Sequence, residues 1–208
     1  MRVLVQFFHP VFEKSRAHRR LTEAARDREG VTFRDLYELY PDFDIDVSCE
    51  QHMLREHDVC VVQHPFFWYS GPPLLKQWLD LVLEHGWAYG REGTALRGKW
   101  ILHAISAGGG LDAYGPSGGN RHEIGEFLLP FEQTARLCHM RWLPPFCVAG
   151  THRMEEAEFE AAGEAYGRML DALVADSIDW DDLVRRKFAN DWAPKNESAP
   201  ASAAVKEA

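Results

Sequence analysis

Runs of apolar, β-favouring residues alternate along this chain with stretches whose apolar positions recur at helical spacing. Val3 to Phe8 is apolar throughout except for Gln6, as a strand covered on both faces should be. Beyond a loop holding His9 and Pro10, Ser15 predicts the cap of a helix running to about Arg28. Ala17, Leu21, Ala24 and Ala25 share one face of it, and Gly30 ends it. Val31 to Leu36 reads as a second strand, followed by the loop YELYPDFDID and a short helix from about Val47 to Glu56. Val59 to Gln63 is a third strand, again apolar on both faces. Pro72 and Pro73 then suit the first turn of a helix carrying Leu74, Leu75, Trp78, Leu79, Val82 and Leu83, which ends near Gly86. Lys99 to Ser106 is a fourth strand, delivered into a glycine-rich loop that reaches about Arg121. A helix from Glu123 to His139 follows, then a fifth strand from Trp142 to Ala149, bent by Pro144 and Pro145 and so placed at an edge. Glu155 to Ser177 is the closing helix.

Strands alternating with helices in this order predict an α/β three-layer sandwich with right-handed crossovers and a five-stranded parallel sheet of order 2-1-3-4-5. The domain is expected to span residues 1–178. Residues 179–208 are expected to be a C-terminal extension with one short helix over Asp179 to Phe188, and the polar, Pro- and Ala-rich stretch APKNESAPASAAVKEA is expected to be disordered. At 208 residues, 46% of them hydrophobic, the chain has enough apolar surface for one core without disulfide or metal staples. A net charge of −9 with no basic run argues against nucleic-acid partners. The longest apolar runs are strand-sized, which predicts a soluble protein rather than a spanning one. Cys49, Cys60, Cys138 and Cys147 have no Cys-x-x-Cys spacing and read as reduced thiols of a cytosolic protein.

In an open parallel sheet, ligands bind outside the carboxyl ends of the strands. Three loops should meet there: HPVFEKSRAH after the first strand, HPFFWYSGPP after the third, and SAGGGLDAYGPSGGNRH after the fourth. The first presents Ser15 at a helix start, where free N–H groups favour a phosphate. The second presents four aromatic rings, Phe66 to Tyr69. The third lets backbone approach a ligand closely and offers Tyr114 and His122 as donors. Phosphate end, flat ring and close backbone together describe a site for flavin mononucleotide. Each piece also has a plainer reading: Ser15 as an ordinary N-cap, the glycines as a flexible loop, the rings as a core plug. No paired histidine spacing predicts a metal, and no G-x-S-x-G elbow predicts a hydrolase.

Several of these stretches, with LYELYPDFDID, QHPFFWYSGPPLLKQWLD, HGWAYG, the triple glycine and WLPPF, resemble the flavodoxin-like NAD(P)H:quinone oxidoreductases over roughly Met1 to Ala175. The likeness is greatest to the ancillary oxidoreductases of glutathione-gated potassium efflux. It implies a flavodoxin-like fold, FMN (with FAD left open), NAD(P)H as co-substrate, and a quinone or similar acceptor. It assigns the flavin phosphate to His9, Ser15, Arg16, Ala17 and His18, the ring to Phe66, Phe67, Trp68 and Tyr69, and the ring's polar edge to Ser106, Ala107, Gly108 and Gly109. Tyr114 and His122 match in kind the Tyr and His that stabilise charge on flavin or quinone. A homodimer and a potassium/proton antiporter partner are further implications, as is a cytoplasmic location, peripheral at the inner membrane through that partner. An ancillary subunit with incidental redox activity is the alternative it leaves. The chain departs from the family at His18, where Asn is usual, and at Ser106 and Ala107, where two Thr are usual.

Overall fold

The computed structural model describes residues 1–192. Strand β1 (Val3–Phe7) is central, flanked by β2 (Val31–Asp35) and β3 (Val59–Pro65), and β4 (Trp100–Ala107) lies beyond β3. All pairs are parallel and the order is 2-1-3-4-5 as expected. The edge differs in detail. The expected fifth strand is two short strands, β5 (Arg141–Trp142) and β6 (Phe146–Ala149), each paired to β4, which makes six in all. Pro144 and Pro145 have no N–H to give the ladder, so pairing stops between them and resumes at Ala104↔Phe146.

Alternation sorts the strands' side chains onto two cores. Val3, Val5, Val59, Val61 and Leu102 face helices α1 (Arg16–Ala25) and α7 (Glu156–Val174). Leu4, Cys60, Val62, Ile101 and Ile105 face α3 (Val47–Glu56), α4 (Pro73–Val82) and α6 (Leu129–Leu137). Burial on both faces is why these strands read as continuous apolar runs. Short helices α2 (Leu36–Leu39), α5 (Ile124–Phe127) and α8 (Trp180–Leu183) complete the set. The helix expected over 123–139 is thus broken into α5 and α6 at Leu128, because Pro130 cannot donate the backbone hydrogen bond that would join them.

One buried carboxylate ties the second layer to the sheet. Glu50 on α3 accepts from Gln6 Nε2 at 2.8 Å, Tyr40 OH at 2.7 Å and Trp78 Nε1 at 3.0 Å, and pairs with Arg34. Residues 179–192 pack against the domain: Trp180 stacks on Trp100 with ring centroids 4.4 Å apart, and Phe188 is buried. Asn190 exchanges both amide bonds with the backbone of Cys147, at 2.7 and 3.1 Å, and so covers the outer edge of β6. The expected disordered stretch, 193–208, lies outside the described residues.

Candidate functional site

A cleft of about 770 Å³ opens at the carboxyl ends of β1, β3, β4 and β6, within the usual range of small-molecule sites. Its first wall begins where β1 runs out. Phe8 N–H still bonds Gln63 O at 2.8 Å, His9 follows, and a turn over Phe12–Lys14 leads to Ser15. Ser15 Oγ accepts from His18 N–H at 3.2 Å, so the ordinary N-cap role is real. It leaves the N–H groups of Arg16 and Ala17 without acceptors among the described residues, facing the cleft end where an anion would be favoured. The Arg16 guanidinium is turned toward α7: it pairs with Glu156 at 3.0 Å, donates to Met154 O at 3.3 Å and lies 4.5 Å over Phe159. Lys14 lines the cleft with no acidic partner among the described residues.

The aromatic loop forms the second wall, and its four rings divide into two roles. Ser70 N–H donates to Phe67 O at 3.0 Å and closes a tight turn, while Phe67 N–H donates to Pro65 O at 3.0 Å, and the two central residues, Trp68 and Tyr69, have φ of 50° and 62°. Positive φ at both central positions is normally supplied by Asn and Gly, and each L side chain held there costs about 1–2 kcal/mol. Phe66 is buried against Tyr114 and Phe127, and Tyr69 stacks on Phe127 at 4.8 Å while its hydroxyl donates to Asn120 at 3.1 Å. These two anchor the loop. Phe67, 42% exposed, and Trp68, 93% exposed, are left on the cleft side.

Ser106 and Gly108 supply the third wall. Ala107 is buried in the core, so only its backbone is available, and Gly109 lies behind the lining. A fourth wall comes from the loop after β6, Thr151 and His152, which the sequence reading passed over. The signal for it existed, since it too leaves the carboxyl end of a strand.

Four histidines on or after β1, α1, β3 and β4 are buried, His9 lining the cleft and His103 a separate small void. Burial pushes His9 down to about 4, with Glu13 partly opposing, and Val11 N–H donates to its Nδ1 at 3.2 Å. His18, its ring centroid 5.2 Å from that of His9, is held well below the usual imidazole range by burial. Gln63 Nε2 donates to His18 Nδ1 at 3.4 Å and to Thr22 at 3.1 Å, its orientation fixed by Tyr166 OH donating to Oε1 at 3.1 Å. Neutral His18 therefore carries its proton on Nε2, which is buried and held only by a weak approach to the His64 backbone among the described residues. His64 Nδ1 donates to Pro65 O at 3.0 Å, so its Nε2 accepts from His103 Nδ1 at 3.0 Å. Burial lowers His64 to about 4 and His103 well below its usual value.

Of the residues expected to hold a cofactor, His9, Ser15, Arg16, Ala17, Phe66, Phe67, Trp68, Ser106 and Gly108 line this one cleft. His18, Tyr69, Ala107 and Gly109 are next to lining residues in the chain without lining the cleft themselves. Tyr114 and His122 do not line it. Tyr114 packs edge-on against Phe66 with its ring and hydroxyl beside Gly109 of the glycine loop, burial raising its phenol, and the His122 imidazole is exposed 3.4 Å from Glu126. Among the described residues no cluster of His, Cys, Asp and Glu suits a metal, and no helix is long and apolar enough to cross a membrane.

The chain is similar in sequence and fold to known proteins. KefF, the glutathione-regulated potassium-efflux system ancillary protein of Klebsiella aerogenes, is 41% identical over 186 residues, covering 86% of this chain and 97% of that protein. General stress protein 14 of Treponema denticola, solved in complex with FMN, is 40% identical, with a TM-score of 0.78 over 83% of this chain and 99% of that one. An NADPH-quinone reductase of P. pentosaceus is 29% identical, with a TM-score of 0.73 over 81% and 96%. A family model described as a flavodoxin-like fold matches residues 1–170. The chain therefore belongs to the flavodoxin-like family that includes the ancillary proteins of the glutathione-regulated potassium-efflux system.

Proposed function

We propose that the cleft holds FMN and that the protein is an NAD(P)H-dependent oxidoreductase acting on quinones or similar acceptors. One observation carries this: free amides at a helix start and an outward-turned aromatic pair face each other across a single cleft whose third wall is glycine. The residues present fit the group. The amides of Arg16 and Ala17, with the charge of Lys14 nearby, suit a phosphate. Phe67 and Trp68 offer apolar faces to a flat ring. Gly108 has no side chain to fill the space where the ring's polar edge would meet backbone N–H and C=O. When bound, FMN would supply the redox chemistry, taking a hydride from NAD(P)H and passing two electrons onward. The chain's own tasks are then to hold the phosphate, fix the ring's tilt with a strained and therefore stiff turn, and exclude water with Phe67 and Trp68. Neutral His9 at the floor adds no charge to the site at physiological pH. Tyr114, whose hydroxyl lies beside Gly109, stands next to the glycine wall without lining the cleft, and His122 lies farther out beside Glu126.

The test is to identify the flavin released from purified protein by chromatography, which separates FMN from FAD, and to follow NADPH and NADH oxidation with a quinone. A colourless protein that takes up no FMN and oxidises neither nucleotide would overturn the proposal. The 41% identity to an efflux-system ancillary protein favours a second role, activation of a potassium/proton antiporter. Efflux activation that survives in a flavin-free variant would make that role the primary one, and a homodimer is checked by sedimentation.

A further inference from the structure

The fourth wall carries a polar side chain to which no role has been given. Gly150 N–H donates to Gly109 O at 2.9 Å and Thr151 N–H to Ala107 O at 3.1 Å, which pins the start of this loop beside the glycine loop. Its far end is fixed where Arg16 donates to Met154 O at 3.3 Å. His152 lies between these two anchors. It lines the cleft, is exposed, and makes no hydrogen bond among the described residues. Its ring nevertheless lies edge-on against Gly108: a Cβ built there would meet Nε2 at 2.4 Å and Cδ2 at 2.7 Å. An exposed imidazole free to turn into water has its polar edge set against the backbone where the third and fourth walls meet.

Resting on the FMN assignment above, we infer that His152 is a further cofactor-binding residue, its imidazole N–H donating to the carbonyl-bearing edge of the flavin ring beside Gly108. The glycine is what lets imidazole and ring edge share that corner, and the two backbone bonds at 150 and 151 hold the donor in place. That edge is the same in FMN and in riboflavin, whereas the phosphate is not. Loss of the His152 contact therefore weakens both ligands by the same factor, about 2- to 10-fold for one hydrogen bond.

The experiment is fluorescence titration of flavin-depleted full-length protein with FMN and with riboflavin, for wild type, His152→Phe and His152→Gln. His152→Phe keeps a flat ring and removes the donor, and His152→Gln keeps a donor. The position is exposed, so thermal melting should confirm that both variants fold. Equal weakening of FMN and riboflavin in His152→Phe, with His152→Gln within twofold of wild type, supports the inference. It is overturned if His152→Phe binds as tightly as wild type, if FMN alone is weakened, or if His152→Gln loses as much as His152→Phe. Wild-type protein that binds neither flavin would overturn the cofactor assignment as well, which separates the two failures.

Discussion

Four histidines buried in the neutral form should make the stability of this protein fall steeply in mild acid, well above the range in which carboxylates titrate. His9 and His64 are each lowered from 6.5 to about 4 by burial. Between these values the unfolded chain binds protons that the folded protein refuses, so stability is full above pH 6.5 and is lost as pH falls toward 4. At pH 5 the loss is about 2 kcal/mol for each of these two groups, from RT times the logarithm of the ratio of their binding polynomials. His18 and His103, lowered further in the same direction, add to it. A total near 4 kcal/mol or more is a large share of the 5–15 kcal/mol that usually holds a domain folded. Asp35 works in the opposite sense, its carboxyl raised by burial. Asp46, Glu56, Glu126 and Glu156 work in the same sense as the histidines but only at lower pH. The assay is urea unfolding at pH steps from 8 to 5. His9→Asn is the matched variant, because Asn Oδ1 can still accept from Val11 N–H but cannot titrate. It should reduce the acid loss at pH 5 by about 2 kcal/mol. Wild-type stability that is flat from pH 7 to 5, or a His9→Asn protein with the wild-type pH dependence, would refute the reasoning.

Trp68→Gly should raise the melting temperature by roughly 1–4 °C, since it removes a left-handed L residue whose side chain is almost wholly exposed, yet FMN affinity should fall; Cys138→Ala, in the core away from the cleft, should leave FMN affinity unchanged. Ser15→Ala removes the cap of α1 and should cost about 1 kcal/mol in urea unfolding, with FMN affinity weakened more than riboflavin affinity because the phosphate end is what loosens. Glu50→Ala leaves Arg34, Tyr40, Trp78 and Gln6 facing a void and should cost about 3–5 kcal/mol, read as a drop in the urea midpoint with little change of slope.

The fold was legible wherever burial imposed a period. Val3–Phe7 and Val59–Pro65 announce themselves because both faces are covered, and α3 begins at Val47 as the sequence predicts because Asp46 caps it, accepting from Cys49 N–H at 2.9 Å. Proline was the chief source of error. Pro130 breaks a helix whose apolar stripe runs on unbroken from Ile124 to Cys138, and Pro144 and Pro145 divide a strand that is continuous in hydrophobicity. Periodicity reports which face is buried and is silent on whether the backbone bonds beneath it are made. Glu50 was illegible for a different reason. On its helix it reads as one more solvated carboxylate, and its four partners come from β1, β2, the loop after α2, and α4.

The candidate site was legible as a place and illegible in its parts, and the reason lies in where the structural costs fall. The groove between α1 and α7 is also a concavity, about 340 Å³, but its charges satisfy one another: Arg20 pairs with Glu23, Glu156 and Glu160, and Arg28 with Asp171. Nothing there asks for a ligand. The small void lined by Cys138 and His103, about 20 Å³, has room for no more than a water. At the carboxyl ends of the strands the costs accumulate instead. Among the described residues, Trp68 and Tyr69 hold left-handed backbone, His18 buries an N–H with at most a weak backbone partner, Arg16 and Ala17 present free amides, and His152 crowds a glycine without a hydrogen bond. Single departures of these kinds occur elsewhere, as left-handed backbone at Phe43, Arg121, His139 and Asp176 and unpartnered buried atoms on Arg34, Tyr37 and Trp87, but here several kinds meet at one cleft, where a fold keeps them when function requires it. None is visible as a motif, because a strained turn spelled Trp-Tyr and an orphan imidazole have no sequence pattern. Their coincidence at one cleft separates a binding site from the other concavities of the molecule.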